Sequence, residues 1–163
     1  MDARNQLVVD RLNARFPGVI AEHAEFRGEL TVVVPRESVV AVCRFLKEDP
    51  ELRYDLLADL CGIDMATPAQ RFGVIYNVFS LTTRHRMRLK TFVEESDPHV
   101  PTMTGVWGTA NWHERETFDM FGIVFDGHPD LRRMYMPEEF EHYPLRKDFP
   151  LMGIPGSLSL PKK

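Results

Sequence analysis

Six of the chain's 12 prolines, Pro129, Pro137, Pro144, Pro150, Pro155 and Pro161, fall in its last quarter. Proline lacks the backbone N–H and clashes with the preceding helical turn, so no long helix fits between them. The segment is no polar linker either, because it carries Leu131, Met134, Tyr135, Met136, Phe140, Tyr143, Leu145, Phe149 and Leu151. An extended stretch with that much apolar surface gains stability only by lying on something, either the rest of the chain or a partner. Periodic elements are legible only upstream, so the chain divides into an ordered domain, residues 1–122, and an extended segment, residues 123–163.

Residues 3–16 read as a helix, with Val8, Leu12 and Phe16 on one face and Pro17-Gly18 as its stop. Two strands follow, about 19–26 and 29–34, turning at Gly28, with Leu30, Val32 and Val34 alternating inward. Pro35 suits the first turn of a helix running to Glu48, whose stripe is Val39, Val42, Cys43 and Leu46. Leu52 to Leu60 fits helix or strand by period; Leu56, Leu57 and Leu60 favour a short helix. From Arg71 an interior strand is clear, with Phe72, Val74, Tyr76 and Val78 on one side and Ile75 and Phe79 on the other. Its hairpin partner, 86–94, turns Met87, Leu89 and Val93 inward, and residues 96–110 read as loop with a helical turn. The fold class is α+β in two layers: helices on one face of a mixed, mostly antiparallel sheet, in the order α-β-β-α-β-β with room for one further strand.

With 44% hydrophobic and 27% charged residues, the composition is that of an ordinary globular protein. No run approaches the ~18–20 apolar residues of a membrane-spanning helix, and MDARNQLVVD lacks the basic-then-apolar pattern of a signal peptide. Cys43 and Cys61 form neither a Cys-x-x-Cys pair nor a zinc set and read as reduced and structural. A net charge of −4 argues against a nucleic-acid binder, so the basic run 84–90 is read as a solvated strand face.

The stretch 111–122, NWHERETFDMFG, sets four charges and a histidine among large apolar residues. Asn111 suits an N-cap, Glu114 a capping box and Gly122 a C-terminal exit, so it reads as one helix. At 100° per residue Trp112, Arg115, Glu116 and Asp119 share a face. His113, Glu114, Glu116 and Asp119 are all possible metal ligands, but the zincin spacing fails because position 117 is Thr. Glu116 and Asp119 could couple as acid and base, yet Arg115 beside them would hold both ionised, which favours a salt-bridge cluster. That cluster can pin the following His128-Pro129-Asp130-Leu131-Arg132-Arg133, matching carboxylates to planar guanidinium forks. Pro144-Leu145-Arg146-Lys147-Asp148 repeats the mixed-charge theme.

Trp112 to Gly122, His128 to Arg133 and Pro144 to Leu151 together resemble the C-type subunit family of proton-translocating NADH:quinone oxidoreductase, respiratory complex I. Weaker echoes at Asp59 to Asp64 and Arg71 to Ser80 extend the similarity over about residues 30–152. Thr117-Phe118 stands where Val-Tyr is common, and Phe140-Glu141-His142-Tyr143 where Trp-Glu-Gly is common. The resemblance implies a two-layer α+β domain whose C-terminal segment docks on a partner, bracing the quinone module of the peripheral arm beside the D-type and B-type subunits. It implies a chain that itself binds no FMN, iron–sulfur cluster, nicotinamide or quinone, with FMN, clusters and quinone held elsewhere in the complex, on the cytoplasmic side of the bacterial inner membrane. Under it, Trp112, Glu114, Arg115, Glu116, Asp119, His128, Arg132 and Arg133 fix the helix and tail, and Arg146, Lys147 and Asp148 contact the partner. No residue is assigned to catalysis, cofactor or metal. The competing readings are the equivalent scaffold of a ferredoxin- or deazaflavin-linked quinone reductase or membrane-bound hydrogenase, a carboxylate enzyme using Glu116 or Asp119, and a nucleic-acid binder.

Overall fold

A computed structural model describes residues 1–153. Pro155 and Pro161 lie outside them. The chain runs α1 (Ala3–Arg15), β1 (Glu22–Phe26), β2 (Glu29–Val33), α2 (Val39–Glu48), β3 (Leu56–Asp64), β4 (Phe72–Ser80), β5 (His85–Val93), β6 (His99–Pro101), α3 (Ala110–Phe121) and β7 (Val124–Asp126), with a 3-10 turn at Pro68–Gln70. Five strands form one sheet in the order β1-β2-β5-β4-β3, and β6 and β7 a separate parallel pair. In the main sheet only β2 and β5 are parallel; the hairpins β1–β2 and β4–β5 and the pair β3–β4 are antiparallel.

Period-two alternation decides which side of the sheet is core. Val74, Tyr76 and Val78 of β4 stand in register with Gly62, Leu60 and Leu57 of β3, and all face one side. There they join Val8 and Leu12 of α1, Val42 and Leu46 of α2, and Phe121 of α3 in a single buried cluster. The helices thus cover one face, and the α+β two-layer expectation holds.

Three local expectations are corrected. Leu52 to Leu60 is not a helix: β3 begins at Leu56, and a bulge at Ala58 lets Leu57 and Leu60, three residues apart, both point inward. That three-residue spacing mimics a helical stripe, and pairing with β4 overrides it. The second helix starts at Val39 rather than Pro35, residues 36–38 forming a turn. Within 96–110, His99–Pro101 is a strand, held by parallel pairing with β7, which follows α3 in the chain and so is not a sequence neighbour.

Helix α3 crosses β3 closely because position 62 has no side chain. A Cβ there would stand 2.6 Å from Cδ2 of Phe121 and 2.9 Å from Cγ2 of Thr117. The glycine sets the height of α3 over the sheet, and with it the position of everything α3 carries.

Candidate functional site

Helix α3 holds two fully buried carboxylates, Glu114 and Asp119. Glu114 does not close a capping box, and Thr109 rather than Asn111 occupies the N-cap position. Its Oε1 accepts the Met103 N–H and its Oε2 the Thr102 hydroxyl, both at 2.5 Å, so it ties α3 to the loop leaving β6. A buried carboxylate needs partners that stay put, and this loop supplies them. Burial still pushes Glu114 up to about 7, against those two hydrogen bonds. His128, its side chain also fully buried, places Nε2 3.9 Å from Glu114. That Nε2 lies 3.1 Å from the Asn111 carbonyl and Nδ1 accepts the Asp130 N–H at 3.0 Å, a pattern that fits the neutral ring.

Asp119 is the anchor of the tail. Its Oδ2 accepts three successive backbone N–H groups, Met134 at 3.0 Å, Tyr135 at 2.7 Å and Met136 at 3.1 Å. Its Oδ1 accepts Arg133 Nη1 at 2.7 Å. Burial alone would raise this carboxyl; the three amides and the guanidinium outweigh it and hold it below the usual carboxylate range. Arg115 does not pair with Glu116 or Asp119. Its Nε donates to the Arg132 carbonyl at 3.2 Å and its Nη2 to the Arg133 carbonyl at 3.4 Å, while the guanidinium stacks on Trp112, 5.0 Å from the ring.

Farther along, the tail closes over the end of α3. Gly122 terminates the helix at φ 75, and a Cβ there would stand 2.6 Å from both Tyr143 Cζ and Arg146 Nη2. Arg133 and Arg146 lie against the Tyr143 ring at 5.2 and 4.4 Å, and Arg146 also reaches the Phe72 ring at 4.6 Å. Arg146 Nε donates to the Phe121 carbonyl at 2.6 Å and the Leu145 N–H to the Met120 carbonyl at 3.1 Å. The last tie is at the end of β3, where Asp64 accepts the Lys147 N–H at 2.9 Å and Arg71 bridges Asp64 at 3.2 Å to Asp148 at 2.7 Å.

Arg146 and Asp148, read from the sequence as partner contacts, are therefore engaged within the chain, and Lys147 contributes its backbone. Trp112, Glu116 and Arg132 are exposed; among the described residues Arg132 pairs only with Asp130, two residues away. Asp64, Arg71 and Tyr143 belong to the same clasp but carry no assignment from the sequence, because the contacts that recruit them come from residues distant in the chain. Asp119 has both oxygens occupied and Glu116 stands apart in solvent, so the pair does not form an acid–base couple. Among the described residues no three His, Cys, Asp or Glu side chains could hold a metal ion, and no helix is long and apolar enough to cross a membrane.

A charged helix motif that organises its own chain around buried carboxylates defines an α+β module with a clasped C-terminal segment. The chain belongs to the family described as respiratory-chain NADH dehydrogenase, 30-kDa subunit, whose model matches residues 32–155. It is 54% identical over 147 residues to the C-type subunit of the NADH-quinone oxidoreductase of Roseiflexus sp. strain RS-1, covering 90% of this chain and 84% of that one. It is 48% identical over 151 residues to the corresponding NADH-quinone oxidoreductase protein of Geotalea uraniireducens strain Rf4, covering 93% and 91%. Among solved structures, a trypsin-resistant fragment (1–134) of Nqo5 superposes with a TM-score of 0.60 at 33% identity, over 78% of this chain and 99% of that one. A chain of an archaeal membrane-bound sulfane sulfur reductase shares the fold, with a TM-score of 0.76 at 22% identity over 91% and 87%.

Proposed function

We propose that this chain is a non-catalytic scaffold of the quinone module of an NADH:quinone oxidoreductase, held to the D-type subunit and its neighbours, the B-type subunit among them, by the clasped tail. In this role it supports electron transfer from NADH to quinone coupled to proton translocation, while FMN, iron–sulfur clusters and quinone are bound by other members of the complex. It reaches the cytoplasmic side of the bacterial inner membrane through the complex. Residues 1–122 supply the domain and residues 123–163 the docking segment, although β7 and the clasp fold residues 124–148 onto the domain.

The observation that carries the reading is what the clasp leaves outside. Trp112 is 62% exposed, Tyr135 60% and Leu145 55%, and Leu151 and Met152 are almost fully exposed. A tail fixed by the buried Asp119–Arg133 pair while presenting large apolar side chains is shaped to be covered. The family membership says by what kind of assembly.

The test is a gentle-detergent purification of the chain from its native membranes, with identification of co-eluting proteins and an NADH:quinone assay. Recovery with the B-type and D-type subunits, a flavoprotein and activity supports the proposal. Recovery with a hydrogenase or ferredoxin-dependent module would move the chain to a related complex, and recovery alone would overturn the scaffold role.

A further inference from the structure

Glu114 is a buried carboxyl with no cation of its own. Among the described residues the only basic group within ion-pair reach is the neutral His128 ring, 3.9 Å away. The other charges on α3 are spent elsewhere: Arg115 on two tail carbonyls, His113 beside Asp59 at 3.6 Å, and Asp119 on Arg133. On α2, Lys47 donates to the Val106 carbonyl. Tyr76 of β4 and Cys43 of α2 are buried and neutral, burial pushing both well up. Where β6 meets β7, His99 and Asp126 pair with each other at 2.9 Å. No opposite charge therefore offsets the burial of an ionised Glu114.

Its hydrogen bonds suit both protonation states. Thr102 Oγ1 lies 2.5 Å from Glu114 Oε2 and 3.0 Å from Thr104 Oγ1, and it accepts the Thr104 N–H at 3.2 Å. With the carboxyl ionised, the Thr104 hydroxyl donates to Thr102 and the Thr102 hydroxyl to Glu114. With the carboxyl protonated, both bonds reverse: Glu114 donates to Thr102 and Thr102 to Thr104. The Met103 N–H donates to Oε1 in either state. Only hydroxyl hydrogens have to move. Two hydroxyls thus join the buried oxygen to Thr104, which is half-buried and precedes the exposed Gly105.

We propose that Glu114 is an internal proton-binding site, loaded and unloaded from solvent through the Thr102–Thr104 hydroxyl pair while the chain stays folded. On loading, hydronium gives a proton to Thr104 Oγ1, Thr104 passes its own to Thr102 Oγ1, and Thr102 passes its own to Glu114 Oε2, leaving water outside. Each hydroxyl loses one O–H bond and gains another, and unloading to water runs the same steps backwards. The tail feels the site through His128. An ionised Glu114 favours the imidazolium, but His128 Nδ1 accepts the Asp130 N–H, so a proton there would set two donors face to face. The tail's entry, His128-Pro129-Asp130, is therefore matched to the loaded site and opposed by the empty one.

The test is carbon-13 NMR of the full chain, following the Glu114 Cδ resonance from about pH 5 to about pH 9. The expected result is a carboxylic-acid shift at the low end, a midpoint of about 7 with the chain folded throughout, and an Asp130 amide resonance that moves with the same midpoint. Thr104→Val should slow exchange between the loaded and empty forms, read from the same resonance, by about tenfold, the barrier of one lost hydrogen bond, while leaving the midpoint in place. Thr104→Ser should restore the rate. A Glu114 carboxyl that is ionised throughout, or that titrates with ordinary carboxyls, overturns the site. An unchanged exchange rate in Thr104→Val overturns the hydroxyl path, and an Asp130 amide that stays fixed overturns the link to the tail. All three leave the scaffold reading standing, since co-purification decides that separately.

Discussion

Arg133 grips Asp119 twice, its Nη1 lying 2.7 Å from the carboxylate and 3.2 Å from the same residue's carbonyl oxygen. The guanidinium also donates to the His142 carbonyl at 3.2 Å. One side chain thus joins α3 to two points of the tail. Arg133→Ala leaves a buried carboxylate short of its charge partner and should cost the isolated chain about 3–5 kcal/mol. Arg132→Glu, one residue earlier but exposed, should change stability by no more than about 0.5 kcal/mol. Chemical denaturation of both variants checks the contrast. Equal losses would mean that the side-chain assignment within the Arg-Arg pair is wrong.

Asp119 and Asp64 are both held below their ordinary range, burial being outweighed by hydrogen bonds to their ionised forms. A folded carboxyl with a depressed pKa stabilises above its unfolded value, near 3.9, and that contribution is lost as pH falls through the folded pKa. The clasp should therefore open with acid, below roughly pH 4. Asp119→Asn keeps an acceptor for the amides but loses the charge facing Arg133. It should destabilise the chain at pH 7 and flatten the acid limb of an unfolding titration.

Glu114 and His85 push in opposite directions at higher pH. Burial raises Glu114 to about 7, so the folded state binds its proton more tightly and stability falls as pH climbs from about 4.3 through 7, by on the order of 3 kcal/mol. Burial, and then the charge of Arg4, lower His85, which sits between the Tyr54 hydroxyl at 2.6 Å and Asn5 at 2.9 Å. A histidine with a depressed folded pKa stabilises above its unfolded value, near 6.5, and stability is lost as pH falls below that. Glu114→Gln should remove the first slope and leave stability rising with pH across 5–7; His85→Gln should leave it falling. Unfolding free energies at pH 5, 6, 7 and 8 separate the two, and a flat profile in all three proteins would remove both assignments.

How far the fold and the clasp are legible in the sequence follows from the range of each interaction. The alternation of β4 and β5 and the stripe of α2 are local, and each stands where its pattern places it. β3 reads as helix because the bulge at Ala58 breaks the alternation, and β6 escapes notice because three residues carry no period of their own. In the clasp, the residue types announce buried charge, but not which group each meets. Sequence proximity matches Arg115 to the carboxylates beside it, whereas in the fold it serves two carbonyls of the tail. The three amides on Asp119 leave no mark in the sequence, since any residue but proline offers an N–H.

Gly62 and Gly122 test whether the height of α3 over the sheet controls the clasp. At Gly62 a methyl group would stand 2.6 Å from a ring carbon of Phe121, inside a core with little room to yield. Gly62→Ala should therefore cost about 1–3 kcal/mol by overpacking, and should lift α3 while leaving the Asp119 contacts formed. Gly122 differs, because φ 75 already disfavours a side chain and the methyl would meet the Tyr143 ring and the Arg146 guanidinium. Gly122→Ala should release residues 143–148 selectively. Hydrogen exchange at Leu145 and Lys147, whose N–H groups bond Met120 and Asp64, reads this directly. Faster exchange there in Gly122→Ala than in Gly62→Ala, when the two are matched in global stability, is the expected outcome. Equal exchange would show that the tail follows the helix as one unit and that the glycine at its exit has no separate role.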